Sequence, residues 1–218
     1  MTSESTIVWV RRAAKLAGIC LATLAALFPA GCSTPSISAA YTEATLERPS
    51  RIEGVWTQVP DAPDADGKAK PAEFALSVSQ GKDGLYNVEL RFLKPQKDEP
   101  AVQHLLVGFT RINDTLFADA VADFDREPTL AAYREYLITA HIFSRVSLDG
   151  DELTVTPMKS SGINSLVANT PDAISHAESE GKRYVLTAET PRIREFLASR
   201  TKDEEFFSGG VKFRRDAN

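Results

Sequence analysis

Cysteine is scarce in this chain of 218 residues, which has two, Cys20 and Cys32, both within the first 32 positions. A disulfide-stapled domain needs cysteines spread through its fold, and a zinc–thiolate site needs several close together. The chain beyond position 32 therefore has neither a disulfide framework nor a cysteine metal site.

Basic residues are also in short supply. The chain has 25 Lys and Arg against 30 Asp and Glu, which gives a formal net charge of −5. Binding to DNA or RNA depends on the neutralisation of phosphates by Lys and Arg. We therefore expect no nucleic-acid partner.

The sequence lacks a hydrophobic run long enough for a permanent transmembrane helix. Its main apolar run, residues 16–28, has 13 residues. As a helix this run would span about 20 Å, whereas the hydrocarbon core of a bilayer is about 30 Å thick. A run of this length after Arg11, Arg12 and Lys15, followed by small residues, is typical of a secretory signal.

The small residues Ala30-Gly31-Cys32 close this segment. They resemble the lipobox of bacterial lipoproteins, although Pro29 stands where leucine is usual. The resemblance implies a signal peptide at 1–31, a lipid-modified Cys32 as the mature N-terminus, and sorting to the outer membrane, with the domain on the periplasmic side or at the cell surface. Cleavage by a general signal peptidase, which would leave a soluble protein, is the alternative.

Removal of the signal leaves 22 basic and 29 acidic residues, a net charge near −7. Such a chain offers no polybasic patch for anionic lipid, so membrane attachment would have to come from the acyl chains. Residues 32–50 are rich in Ser, Thr, Ala and Pro, a composition that predicts a lipidated cysteine followed by a flexible tether. Residues 51–218 have the length of a single domain.

Alternation of apolar and polar residues dominates this domain. It predicts strands at 52–59, 74–80, 85–93, 102–112, 116–123, 136–148, 153–157, 184–188 and 211–215, separated by turn signals. Helices are predicted only late in the chain, at 161–169 and 190–199, the second with Thr190 as its N-cap. The predicted fold is mainly β, an antiparallel meander that forms a barrel or a strongly curved sheet.

The first strand contains Gly54-Val55-Trp56. A glycine two residues before a tryptophan at the start of a meander resembles the signature of lipocalins and related calycin barrels. The resemblance implies that the indole closes one end of a barrel and that a basic residue from the last strand lies on its ring. Arg214 or Lys212 is the expected partner, and a tryptophan in the core of some other sheet is the alternative.

Alternation in 136–146 places His141, Phe143 and Arg145 on one face of a strand. Inside a barrel, these side chains would face a ligand and could orient an acidic group. The alternatives are a solvent-exposed face or a structural cluster. No histidine of the chain lies in a His-x-His or His-x-x-x-His pattern, so no metal site is predicted.

Residues 136–158, with their His-x-Phe-x-Arg-Val run and Asp-Gly-Asp-x-Leu turn, resemble a group of uncharacterised small bacterial lipoproteins. The shared pattern includes Gly-x-Trp and a late Leu-Thr-Ala strand, here 186–188, with a helix behind it at 193–197. The resemblance implies a fold and a location but no activity.

Three functions follow from these observations. The first is a non-enzymatic envelope lipoprotein that binds a small apolar or amphipathic ligand. The second is an accessory protein that docks other envelope proteins through a sheet edge or an exposed face. The third, a hydrolase, has the least support, because no serine nucleophile elbow or paired-carboxylate signature occurs, and no phosphate-binding loop or other cofactor motif is found.

Overall fold

The computed structural model describes residues 33–60, 70–95, 101–127, 137–179 and 183–217. Cys32 and the signal segment lie outside these ranges. No helix within the described ranges is long and apolar enough to cross a membrane.

Eleven strands form the described fold: β1 Leu46–Glu47, β2 Gly54–Gln58, β3 Phe74–Gln80, β4 Tyr86–Phe92, β5 Val102–Ile112, β6 Thr115–Ala122, β7 Ile142–Asp149, β8 Glu152–Pro157, β9 His176–Ser179, β10 Arg183–Leu186 and β11 Val211–Arg215. Strands β2 to β8 pair antiparallel in chain order, and β11 pairs with both β8 and β2. The result is a closed, eight-stranded, up-and-down barrel. The predicted antiparallel meander is thus confirmed.

Tight turns join three of the strand pairs. Asp83, Gly84, Asn113 and Gly150 adopt positive φ angles there, a conformation that Gly, Asn and Asp tolerate best and that matches the twist of a hairpin. These local turns explain why consecutive strands pair with each other.

The barrel interior is one apolar core, and a second core lies outside it. The insertion between β8 and β11 holds helices α1 (Ser160–Asn169) and α2 (Thr190–Arg200) and the β9–β10 hairpin. Its apolar side chains pack against Phe117 of β6 and Phe143 of β7. Both predicted helices are confirmed, although the N-cap of α2 is Glu189 and Thr190 is its first residue.

The predicted tether is wrong for residues 33–50. Backbone hydrogen bonds join Ser36 to His141 in both directions, and the Ile37 N–H donates to the Leu186 carbonyl. Strand β1 pairs with Thr110 and Phe109 of β5, and Ala40 is fully buried. Residues 33–47, hereafter the strap, are therefore part of the folded domain and run down the outside of the barrel.

Candidate functional site

The two ends of the barrel differ. The three tight turns lie at the end where β2 begins and β11 finishes, because Gly54 pairs with Val78 and Arg215 with Trp56. The long connections 59–73, 93–101, 123–141 and 158–210 all leave from the opposite end. We call these the closed end and the open end.

The barrel encloses a cavity of about 90 Å³. Every strand of the barrel except β2 contributes to its wall. Of the described residues that line it, Ser144 alone has a polar side chain; the others are Ile52, Phe74, Leu76, Val78, Val88, Leu90, Leu105, Val107, Phe109, Ala118, Ala120, Ile142, Val146, Leu153, Val155, Val211 and Phe213.

Such a wall has no charged group with which to orient an ion or to transfer a proton. An engineered apolar cavity of about 150 Å³ stays dry and takes up benzene or xenon. The cavity here is smaller, so its size fits a small apolar molecule or the end of one alkyl chain. Ser144 offers a single hydroxyl to such a guest.

The side chain of Trp56 fills the closed end of the barrel. Its side chain is fully buried, and its indole N–H donates to the Ile52 carbonyl at 2.9 Å. The guanidinium carbon of Arg215 lies 4.2 Å from the centre of the indole ring, within the range of a cation–π contact. The partner on the ring is thus a basic residue of the last strand.

Gly54 makes room for this arrangement. Its φ is +134°, and a Cβ atom there would lie 2.5 Å from Nη1 of Arg215. The same guanidinium donates to the backbone carbonyls of Arg51 and Glu53. The positive φ angle therefore favours glycine, and a Cβ atom at this position would also displace the Arg215 guanidinium.

The prediction that Arg214 or Lys212 covers Trp56 is wrong. Phe213 points into the barrel, so Arg215 shares its face, and Lys212 and Arg214 point outward. The exposed guanidinium of Arg214 lies instead 3.4 Å from a carboxylate oxygen of Glu152 on the neighbouring strand.

The row of His141, Phe143 and Arg145 shares one face as predicted, but that face does not line the cavity. The cavity is lined by Ile142, Ser144 and Val146. Phe143 is fully buried in the second core. The predicted ligand-facing role is therefore wrong for this cavity, and the structural-cluster alternative describes the row.

Arg145 supports the second core through its charge. Its guanidinium donates to the carbonyls of Thr201 at 2.8 Å and Phe207 at 2.7 Å, and it lies over the Phe207 ring at 5.1 Å. These contacts join the residues that follow α2 to the barrel wall.

His141 forms a pair with Asp119 that the sequence did not reveal. Its Nδ1 lies 2.7 Å from Oδ1 of the buried carboxyl, whose Oδ2 accepts the Ala40 N–H at 2.7 Å. Burial raises the pKa of Asp119 above its ordinary value, although both hydrogen bonds oppose that shift. The only sequence signal was an acid within the apolar run of β6. The pair fastens the strap to the barrel.

The other histidines make local contacts. Nδ1 of His104 lies 3.8 Å from Oε1 of Glu89, and Nδ1 of His176 lies 2.9 Å from the Ile174 carbonyl. Within the described ranges, no group of three or more His, Cys, Asp or Glu side chains is placed to hold a metal ion.

The Asp119 carboxyl should make stability depend on pH. Because its pKa is raised on folding, the folded protein keeps this proton at a pH where the unfolded chain has lost it. Its contribution is therefore fully present below about pH 4 and is lost as the pH rises through the folded-state pKa. We expect the wild type to lose unfolding free energy relative to the Asp119→Asn variant as the pH rises. Urea denaturation of both proteins at several pH values measures this difference. A difference that does not change with pH would contradict the effect of burial.

Comparisons with known proteins identify no significant relative of this chain. No protein-family model matches the chain, and no curated protein or solved structure matches it significantly. Function must therefore be inferred from the barrel, its cavity and the composition of the N-terminal segment.

Proposed function

We propose that this protein is a lipid-anchored envelope protein whose barrel binds a small apolar or amphipathic ligand. The observation that carries the proposal is the cavity inside the barrel, whose wall is apolar apart from Ser144. Binding sites of this kind combine an apolar wall with very few polar groups that fix orientation. A ligand with one alkyl chain and one polar group suits this wall best.

The likeness to lipocalins supports the proposal that the barrel binds a ligand. An eight-stranded barrel of that kind can hold one small ligand in its interior. This chain shares the up-and-down order, the Gly54-x-Trp56 start and an arginine of the last strand on the indole. It differs in that its helices lie before the last strand, where they form a second core.

Anchoring is supported by the lipobox-like segment that ends at Cys32. The proposed location is the outer membrane, with the domain on the periplasmic side or at the cell surface. The signal would be removed together with Cys20, so the mature chain would have Cys32 as its sole cysteine.

The barrel's closure favours an interior ligand over docking through a sheet edge. Each of its eight strands has a neighbour on both sides, whereas strand addition needs an unpaired edge. A hydrolase role for His141 and Arg145 has no observation in its favour, because both side chains make the structural contacts described above.

Filling the cavity tests the ligand proposal. Ala120 lines the cavity wall, so Ala120→Leu places three more carbon atoms in it. We expect this variant to bind decanoic acid about tenfold more weakly than wild type, a loss of about 1.4 kcal/mol. The measurement is isothermal titration calorimetry on the soluble domain, residues 33–218.

Ala75→Leu is the matched control. Ala75 lies between Phe74 and Leu76, which line the cavity, so its side chain points away from it. Urea denaturation of both variants first establishes that they are folded. Equal affinity in wild type and both variants, or no uptake of decanoic acid by wild type, would overturn the ligand proposal.

A further inference from the structure

We infer that the open end of the barrel rests directly on the membrane, so that the cavity lies above the lipid from which its ligand comes. This inference rests on the proposed lipidation of Cys32. It adds the orientation of the barrel relative to the membrane. It also names the bilayer as the source of the ligand and single-chain amphiphiles as the ligand class.

The first support is the place where the strap begins. Ser33 forms a β-bridge with Lys159, two residues beyond the last residue of β8. Ser36 bridges His141, one residue before β7 begins. Strand β8 finishes and β7 begins at the open end, so the chain enters the domain there.

The second support is the length of the connection. Consecutive Cα atoms are about 3.8 Å apart, so a lipid on Cys32 is attached one residue from a fixed point of the barrel wall. A flexible tether of the predicted length, about 18 residues, would instead have an r.m.s. span of roughly 23 Å. Because Ser33 is already fixed to the barrel wall, no such tether separates the open end from the bilayer surface.

The third support is the distribution of exposed apolar side chains. The described residues include four large apolar side chains that are clearly exposed, Ile37 (46%), Leu93 (43%), Ile138 (76%) and Val55 (44%). Leu93 directly follows β4 at the open end, and Ile37 and Ile138 flank the Ser36–His141 bridge. Val55 lies at the closed end.

Single exposed apolar residues are ordinary on a protein surface. Three of them on the end that carries the lipid are explained by contact with the boundary between headgroups and acyl chains. The acidic domain would not reach this surface by charge attraction, so the face engages lipid only when acyl chains hold it there. A bilayer is therefore the occupant that these observations favour.

Site-directed spin labelling tests this orientation. The mature lipoprotein has no free thiol, because Cys20 leaves with the signal and Cys32 is acylated, so Ile37→Cys, Leu93→Cys, Ile138→Cys and Val55→Cys each give one labelling site. The labelled lipoproteins are reconstituted in vesicles of phosphatidylethanolamine and phosphatidylglycerol. The readout is collision of the label with a water-soluble nickel complex and with oxygen.

We expect labels at 37, 93 and 138 to be about fivefold less accessible to nickel than the same labels on the soluble domain, residues 33–218, which has neither cysteine nor lipid, with a rise in oxygen accessibility. The label at 55 should be unchanged, because the strand length places it about 20 Å from the open end. Equal nickel access at all four positions of the acylated protein, or protection at 55 alone, would overturn the orientation.

Mass spectrometry of the purified lipoprotein shows whether Cys32 carries a lipid. It therefore distinguishes a wrong orientation from a wrong anchoring proposal. If Cys32 carries no lipid, the anchoring proposal fails, and the inferred orientation fails with it. If Cys32 carries lipid but the open end stays in water, the orientation alone is wrong.

Discussion

Replacement of Trp56 by alanine should lower the free energy of unfolding by about 3–5 kcal/mol, the usual cost of removing a large aromatic side chain from a core. The indole is fully buried, its N–H is hydrogen-bonded to the Ile52 carbonyl, and Arg215 covers its ring. Its loss leaves the closed end of the barrel unfilled. Urea denaturation followed by circular dichroism measures the change.

Arg215 and Arg214 provide a matched pair for the same end of the barrel. Arg215→Met keeps much of the side-chain length but loses the cation–π contact and the hydrogen bonds to the Arg51 and Glu53 carbonyls, so we expect a cost of about 1–3 kcal/mol. Arg214→Met removes an exposed ion pair and should cost less than about 1 kcal/mol. Equal effects of the two changes would contradict the assignment of Arg215 to the indole.

Phe143→Ala is the second substitution with a large expected effect, again about 3–5 kcal/mol of unfolding free energy. Phe143 is fully buried between the barrel wall and the helical insertion. Because its side chain points away from the cavity, the folded variant should bind decanoic acid with unchanged affinity. Denaturation and calorimetry at a temperature where the variant is folded measure the two quantities.

The neighbouring Ile142 provides the control. It lines the cavity from the same strand, so Ile142→Ala should change both stability and ligand affinity. If Phe143→Ala altered the affinity as much as Ile142→Ala, the separation of the two cores would be wrong.

The strands of the barrel were predictable because each of them has at least one buried face. In β3 the alternation of Phe74, Leu76 and Val78 with smaller or polar residues predicted a strand whose ends match the structure. The turns carried their own signals, since Asn113 and Gly150 adopt the positive φ angles that their residue types favour. Local pattern and final fold agree at these places.

The strap was not predictable in the same way. Its Ser, Ala and Pro residues carry no strong periodicity, and its order depends on partners far along the chain, such as His141, Leu186 and the Asp119 carboxyl. A composition typical of a linker therefore predicted a flexible tether. Strand β9 was missed for a related reason, because its polar sequence reads as a loop and it pairs only with β10.

Alternation also failed to distinguish inside from outside on β7. It placed His141, Phe143 and Arg145 together, but it does not say which face of a strand meets the barrel interior. Both faces of β7 are buried, one in the barrel and one under the insertion, so hydrophobicity gives no preference. The assignment of Arg214 instead of Arg215 to the Trp56 ring has a similar origin. The strand ends in two adjacent arginines, and alternation alone does not say which of them shares the face of the indole.

We propose an apolar ligand as the occupant of the barrel interior, and NMR of the methyl-labelled domain tests this proposal most directly. With decanoic acid bound, nuclear Overhauser contacts should join its alkyl chain to the methyl groups of Leu105 and Val146, which line the cavity. The methyl groups of Ile163 and Leu197, which lie in the second core, should show none. Contacts to the second core alone, or none to either core at saturating ligand, would contradict the proposal.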